Sequence, residues 1–200
     1  MRIAPLDSLL SPRLKGVSLL TGVPSILGLA HSWIARWALT GALDVVDCSG
    51  AFQPLRILHT LEDQGLKAWP ALDSIQVHRP RTALQFLGAS RILAEENLSN
   101  PVVILSPLYQ VIASSSSVAA SGLLLDGFRA LLASARAHKA RVLIVEPEKN
   151  SSIHRAGLSA LQGAAHKTWR VSARGVESIA GHALSASPSN RAESVRAFAV

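Results

Sequence analysis

The residues best placed to handle a phosphate lie in a glycine-containing turn near the start of the chain. A short apolar run, Val17–Thr21, leads into Gly22 and then into Gly28, where a helical pattern begins. Phosphate-binding loops use this order: backbone N–H groups at the start of a helix surround the phosphate, a lysine reaches it, and a hydroxyl holds magnesium. The turn therefore has the layout of a phosphate site.

The side chains that this chemistry needs are missing from the turn. Counting the loop from Gly22 puts Leu27, Gly28 and Leu29 where the glycine, the lysine and the hydroxyl belong. A shift of one residue puts Gly28 at the second glycine, with Leu29 and Ala30 after it. Neither register supplies a lysine or a magnesium ligand, so we predict a degenerate phosphate loop.

A second block follows the next apolar run and resembles the recombinases of the RecA and RadA type. From Val45 to Arg56 the chain reads VVDCSGAFQPLR, similar to the family pattern Asp-Thr-Glu-Gly-x-Phe-x-Pro-Glu-Arg that follows a strand. The lead-in LDSLL at residues 6–10 is similar to a Leu-Asp-x-Leu-Leu element that precedes the phosphate loop in the same family. The positions of the second block that fall in register are Asp47, Gly50, Phe52, Pro54 and Arg56.

The acidic residues of this family are replaced by serines. Ser49 stands where the family has the glutamate that orients the attacking water, and Ser106 stands where it has the magnesium-linked aspartate of the Walker B strand. Losing one preorganised charged group costs on the order of 10²–10³ in rate. We therefore expect a chain that is not an enzyme and needs no cofactor. An unorthodox enzyme that recruits a lysine from elsewhere, such as Lys15, is the catalytic alternative.

The resemblance also implies where DNA would bind. In the RecA fold the DNA-binding loops follow the Walker B strand and the next strand, which correspond here to Tyr109–Ser121 and Glu146–Gly157. The first segment is rich in serine and carries no positive charge, whereas cations in the second are suited to neutralising phosphates. Ordinary solvated loops are the alternative. The candidates for DNA contact, including two arginines that flank a proline after another predicted strand, are Lys149, His154, Arg155, Arg79 and Arg81.

Tryptophan and histidine positions give weaker signals. Trp33 and Trp37 lie one helical turn apart, which indicates either a stripe that faces the core or an interface anchor. The seven histidines show no spacing typical of metal ligands, and Cys48 has no cysteine partner, so we expect no metal site.

Composition limits the class of protein. The 200 residues are 48% hydrophobic and 16% charged, which suits one folded domain, expected over residues 1–184 with a flexible tail at 185–200. The formal net charge of +7 favours contact with nucleic acid or another acidic surface. A single cysteine, no secretory signal and no apolar run of the ~20 residues that a membrane span needs indicate a cytoplasmic protein without membrane contact.

Short Val-, Ile- and Leu-rich runs alternate with longer helical patterns, which is typical of a parallel sheet covered on both faces. We therefore predict an α/β fold with a RecA-like P-loop core, a twisted and mostly parallel β-sheet flanked by helices. The predicted strands are Val17–Thr21, Leu43–Asp47, Ser74–His78, Val102–Leu105, Arg141–Val145 and Lys167–Ser172. The predicted helices are Gly28–Leu39, Pro54–Gln64, Thr82–Glu96 and Val118–His138.

The function implied by the resemblance is that of an accessory protein in DNA recombination or repair. Such a protein binds DNA, a recombinase or a RecA-like paralogue without hydrolysing ATP, as a homo- or hetero-oligomer. The alternative is a protein-interaction subunit with no DNA contact, such as a RecA-like mutagenesis accessory of the ImuA type. An exposed apolar patch rather than a basic stripe would distinguish the second hypothesis from the first.

Overall fold

Strands and helices alternate along the chain in the order that the apolar runs predict. The computed structural model describes residues 16–109, 118–172 and 175–179. The strands are β1 (Gly16–Gly22), β2 (Leu43–Asp47), β3 (Ile75–His78), β4 (Val102–Leu105), β5 (Arg141–Pro147), β6 (Lys167–Ser172) and β7 (Gly175–Ile179). The helices are α1 (Ile26–Ala38), α2 (Pro54–Glu62), α3 (Ala68–Asp73), α4 (Ala83–Glu95), α5 (Val118–His138) and α6 (Ser152–Ala164).

The strands of the described ranges form one seven-stranded sheet in the order β3-β2-β4-β5-β1-β6-β7. Neighbouring strands run parallel except for β6 and β7, which are antiparallel. The prediction of an α/β protein with a mostly parallel sheet flanked by helices is confirmed. Parallel strands bring their carboxyl ends to one edge of the sheet, which is where ligands bind in open α/β folds. We call it the carboxyl edge.

Apolar side chains cover both faces of the sheet. One cluster joins Ile34 of α1 and Ile57 of α2 to Leu20 of β1. On the other face, Phe86 of α4 and Phe128 of α5 belong to a second cluster, with their ring centroids 5.1 Å apart. Because the central strands are buried on both sides, they appear in the sequence as continuous apolar runs. The loops at the carboxyl edge therefore start from a rigid base.

Several boundaries differ from the sequence prediction. Helix α1 begins at Ile26, two residues before the predicted start, and α3, α6 and β7 were not predicted. Helix α6 occupies half of the segment Glu146–Gly157 that was interpreted as a DNA-binding loop. Its start is capped by the Ser151 hydroxyl, which accepts the His154 N–H at 3.1 Å. Two glycines and several polar residues weaken the helical pattern of this segment, which explains why it was missed.

Some predictions fall outside the described residues. These are the LDSLL lead-in and Lys15, most of the segment Tyr109–Ser121, and the tail at 185–200. No helix in the described part of the chain combines the length and the apolar character that a membrane span requires.

Candidate functional site

The turn between β1 and α1 is closed on itself. Only three residues, Val23 to Ser25, separate the strand from the helix. The N–H groups of Ile26 and Gly28 donate to the carbonyls of Val23 and Ser25 at 3.0 and 2.9 Å. Those of Leu27 and Leu29 donate to Pro24 and Ser25 at 3.3 and 3.4 Å. A phosphate loop presents such amides to its ligand, whereas here the turn's own carbonyls accept them.

Gly22 has a structural reason to be glycine. The φ angle of Gly22 is +136°, a backbone conformation that residues other than glycine rarely adopt. A Cβ at this position would lie 1.9 Å from the carbonyl oxygen of Val171 in the neighbouring strand β6. Close packing of β1 against β6 is therefore sufficient to require the first glycine of the degenerate loop.

The block after β2 is organised by a buried aspartate. The two carboxylate oxygens of Asp47 accept the N–H groups of Ala51 and Phe52 at 2.9 and 3.2 Å. The guanidinium of Arg79 lies 3.6 Å from the same carboxylate. Ser49, in the position of the family's glutamate, has a buried hydroxyl without a hydrogen-bond partner. The motif residue Asp47 therefore shapes the loop, and the loop presents no catalytic acid.

Ser106, which the resemblance aligns with a Walker B acid, directly follows β4 and is buried. Its φ is +49°, and its N–H donates to the carbonyl of Val145 in β5 at 2.8 Å. The neighbouring strand β5 carries a buried acid close to this position, Glu146, which follows the partner of Leu105 in the register and is 1% exposed. No sequence motif predicts a role for Glu146, although a carboxylate at the end of the apolar run VLIV indicates a buried group that needs a partner.

Glu146 holds two loops of the carboxyl edge together. One of its oxygens accepts the N–H of Leu108 at 2.9 Å, and the other lies 3.1 Å from Nε2 of His154. Nδ1 of His154 accepts the N–H of Lys149 at 3.3 Å. Since Nδ1 is an acceptor, the neutral ring carries its proton on Nε2 and donates it to Glu146. We call Glu146 and His154 the buried relay. Both side chains are at most 1% exposed, and their hydrogen bonds hold the backbone at Leu108 and at Lys149.

The relay places an aromatic ring next to a cation. Tyr109 follows the anchored Leu108 and is 42% exposed. The ammonium of Lys149 lies 5.1 Å from the centroid of the Tyr109 ring, within the range of a cation–π interaction. The two segments that the resemblance associates with DNA, after β4 and after β5, therefore meet at this pair. We call Tyr109 and Lys149 the edge platform.

The other predicted DNA contacts have different surroundings. The ring of His154 is buried and hydrogen-bonded to Glu146 and to the N–H of Lys149, so in this structure it holds the two loops, and its contact with DNA stays a prediction. Arg155, in the first turn of α6, is exposed, and Arg81 is exposed after β3. Arg79 is half-exposed and shares its charge with Asp47. The topology places these cations along the same edge as the platform.

The tryptophans sort into core and surface. Trp33 and Trp37 are 4% and 5% exposed and belong to the core on the α1 face, which is the core-facing arrangement of the two that the spacing indicates. Trp69, which the sequence left unassigned, is 68% exposed on α3. Trp169 of β6 packs against the same core cluster as Trp33.

Cys48 is buried, and its surroundings keep its thiol from ionising. Burial raises the pKa of the Cys48 thiol, and the nearby charges of Glu146 and Asp47 raise it further, so the thiol stays protonated. Within residues 16–109, 118–172 and 175–179, no three His, Cys, Asp or Glu residues are grouped so as to hold a metal ion.

Comparison with known proteins adds no family to this geometry. No protein-family model matches the chain, and no curated protein matches it.

Proposed function

We propose that this chain is a RecA-like accessory protein of DNA recombination or repair that binds single-stranded DNA at its carboxyl edge without hydrolysing ATP. The observation that carries the proposal is the contact between the ring of Tyr109 and the ammonium of Lys149. Every base offers a flat face that stacks on an exposed aromatic ring, and an adjacent cation pairs with the backbone phosphate. Duplex DNA has its bases stacked already and gains less from such a platform.

The RecA-like part of the proposal is supported by the layout of the sheet. Strand β1, which carries the degenerate loop, lies in the interior of the sheet, with β5 beside it and β4 one position further. The turn after β1 and the Walker B-like position Ser106 are therefore separated by a single strand at one edge. In an active RecA-like protein the phosphate loop and the Walker B acid serve the same nucleotide, so the two motifs must lie close together at one edge of the sheet. The strand order of this chain meets that requirement.

The absence of hydrolysis is supported by geometry as well as by residue type. The amides of Ile26 to Leu29 are already bonded within the turn, so binding a phosphate there requires those bonds to break. Serines occupy both acidic positions, and Glu146, which is close by, is committed to Leu108 and His154. Binding DNA without nucleotide is the function that this scaffold still permits.

The first test is fluorescence anisotropy with labelled single- and double-stranded DNA at low and high salt, with and without ATP·Mg²⁺. We expect tighter, salt-sensitive binding to single strands that ignores nucleotide. Tyr109→Leu should weaken binding by about 5- to 150-fold, because stacking one base contributes ~1–3 kcal/mol. Lys149→Gln should reduce the slope of log affinity against log salt by about 0.7.

The matched control is Lys167→Gln, which makes the same charge change at the first residue of β6, on the opposite edge of the sheet. It should leave the preference for single strands unchanged. No salt-sensitive binding by the parent protein would overturn the DNA-binding proposal. The function would then move to protein contact, for which the exposed Trp69 is a better anchor than the buried pair Trp33 and Trp37.

A further inference from the structure

A cleft of about 340 Å³ opens beside the closed turn, on the sheet face covered by α1 and α2. It lies between the start of α1, contributed by Ser25, Leu27 and Gly28, and the start of α2, contributed by Gln53 and Arg56. The edge platform belongs to the opposite face, where its relay residue His154 is carried by α6. The cleft is therefore a separate feature, and the proposed DNA contact does not use it.

The cleft carries one positive charge and no negative one. Arg56 is exposed, and among the described residues no carboxylate lies within ion-pair distance of its guanidinium. The carboxylate of Asp47, on the same loop, is taken by two backbone amides and Arg79. The charge of Arg56 is thus not neutralised within the described part of the fold.

The histidine in the cleft wall is neutral. Nδ1 of His31 donates to the carbonyl of Leu27 at 2.6 Å, and Nε2 accepts the N–H of Gln53 at 2.9 Å. Burial lowers the pKa of His31 below its ordinary value of 6.5, and the charge of Arg56 lowers it further. His31 therefore supplies a rigid wall, and among the described residues that line the cleft the charge is carried by the guanidinium of Arg56.

Polar and apolar groups are divided in the way that small-molecule sites require. The guanidinium of Arg56 offers several N–H donors, and Ser25 makes no side-chain capping bond, so its hydroxyl is available to a ligand. Pro24 and Leu27 contribute apolar surface to the same cleft. The cleft is open to solvent and places these polar groups beside a small apolar surface, an arrangement that a small ligand with both kinds of group can use.

Gly28 makes room for the guanidinium. A Cβ at this position would lie 3.3 Å from the terminal nitrogen Nη1 of Arg56 and would displace it by a few tenths of an ångström. The absence of a side chain thus lets Arg56 lie across the surface of α1 and face the cleft. This contact gives Gly28 a role that phosphate binding by the backbone does not explain.

We propose that this cleft binds a small organic anion that carries one carboxylate or phosphate group on an apolar body. The guanidinium of Arg56 binds two oxygens of the anion in parallel, a geometry for which its fork of donors is suited. The Ser25 hydroxyl donates to the same group, and the apolar body lies on Pro24 and Leu27. The recognising groups are side chains, because the amides of the turn are already bonded.

The test is a titration of the ¹⁵N-labelled protein with benzoate, phenyl phosphate and inorganic phosphate, followed by NMR at constant ionic strength. We expect saturable shifts of the Arg56 Nε–H and of the Ser25 and Gln53 amides, with a dissociation constant on the order of 1 mM. A preference between benzoate and phenyl phosphate identifies the oxyanion. Inorganic phosphate, which lacks the apolar body, should bind more weakly.

Three variants decide the outcome. Arg56→Gln should weaken binding about tenfold or more, because a charge-assisted hydrogen bond is lost, and Gly28→Ala should weaken it by a smaller factor. Arg155→Gln removes an equally exposed charge elsewhere on the carboxyl edge and should change nothing. The absence of saturable shifts with all three anions would overturn the proposal, as would shifts of the same size in Arg56→Gln. The DNA affinity of Arg56→Gln, measured in parallel, reports separately on the edge platform.

Discussion

The two turns that follow β1 and β5 occupy neighbouring positions at the carboxyl edge but use their polar groups in different ways. After β1, the first amides of α1 donate to carbonyls of the same turn, and no charged residue is buried there. At the end of β5, the buried Glu146 accepts a hydrogen bond from the N–H of Leu108, 38 residues earlier, and pairs with His154 of the following helix. The first turn is thus self-contained, whereas the second ties its neighbours together.

This difference shows two ways in which the carboxyl edge of a parallel sheet can present groups to a ligand. A turn whose amides are bonded internally can contribute only side chains to a ligand, as the cleft beside Arg56 illustrates. A turn whose buried carboxylate reaches a neighbouring loop can hold two exposed side chains in register, as it does for Tyr109 and Lys149. Buried hydrogen-bond networks of this kind fix one arrangement only if every member is satisfied.

The largest effect is expected from Gly22→Ala, which breaks the close packing at the first turn. The new Cβ would lie 1.9 Å from the Val171 carbonyl, within a sheet that cannot move away cheaply. We expect a loss of more than about 4 kcal/mol in the free energy of unfolding, or failure to fold. Urea unfolding followed by circular dichroism measures it.

Gly41→Ala is the matched control for this change. Gly41 has almost the same backbone angle, φ +142°, but nothing lies within 4 Å of the position of its Cβ. The free energy of unfolding of this variant should fall only by the cost of the strained backbone conformation, about 1–3 kcal/mol. Equal losses in the two variants would mean that the packing of β1 against β6 is not what requires the glycine.

The second largest effect is expected from Glu146→Gln, which tests the relay after β5. An amide has one acceptor oxygen, whereas Glu146 accepts from both Leu108 and His154. If the nitrogen of the new amide faces Leu108, its N–H and the N–H of Leu108 are two hydrogen-bond donors that face each other. If it faces His154, the ring must accept at Nε2 and then carries a proton on Nδ1, against the N–H of Lys149. We expect a loss of about 1–3 kcal/mol in unfolding free energy.

Glu148→Gln makes the same chemical change two residues away. Glu148 pairs with Arg170 at the surface, at 2.7 Å, and should contribute only ~0–1 kcal/mol. The two variants should also separate in the DNA assay, since Glu146→Gln releases the backbone that positions Tyr109 and Lys149. Normal single-strand binding by a destabilised Glu146→Gln would confine the relay to a structural role.

The sequence predicted the strands and helices that carry this site better than the hydrogen bonds between its residues. Runs such as Val142–Val145 identify buried parallel strands because both faces of the sheet are covered. The missing lysine could be read from the letters of the turn, but its internal hydrogen bonds could not, because they depend on where α1 begins. The relay joins Leu108, Glu146 and His154 only because β4 and β5 are neighbours. Which strands lie next to each other depends on the strand order of the sheet, and the spacing of apolar runs along the chain does not reveal that order.

The smallest effect is expected from His31→Gln and concerns pH. His31 links the closed turn to the β2–α2 loop, and its pKa is lowered by burial, so the unfolded chain takes up a proton near pH 6.5 before the folded one does. The free energy of unfolding should therefore fall as the pH drops below about 6.5. Protonation of His31 would also place a hydrogen on Nε2, where it faces the N–H of Gln53 and breaks their hydrogen bond. The variant should be less stable at pH 8 but show a shallower fall in the free energy of unfolding between pH 7 and 5 in urea titrations. An identical slope in His31→Gln would show that the turn opens to solvent before the ring titrates.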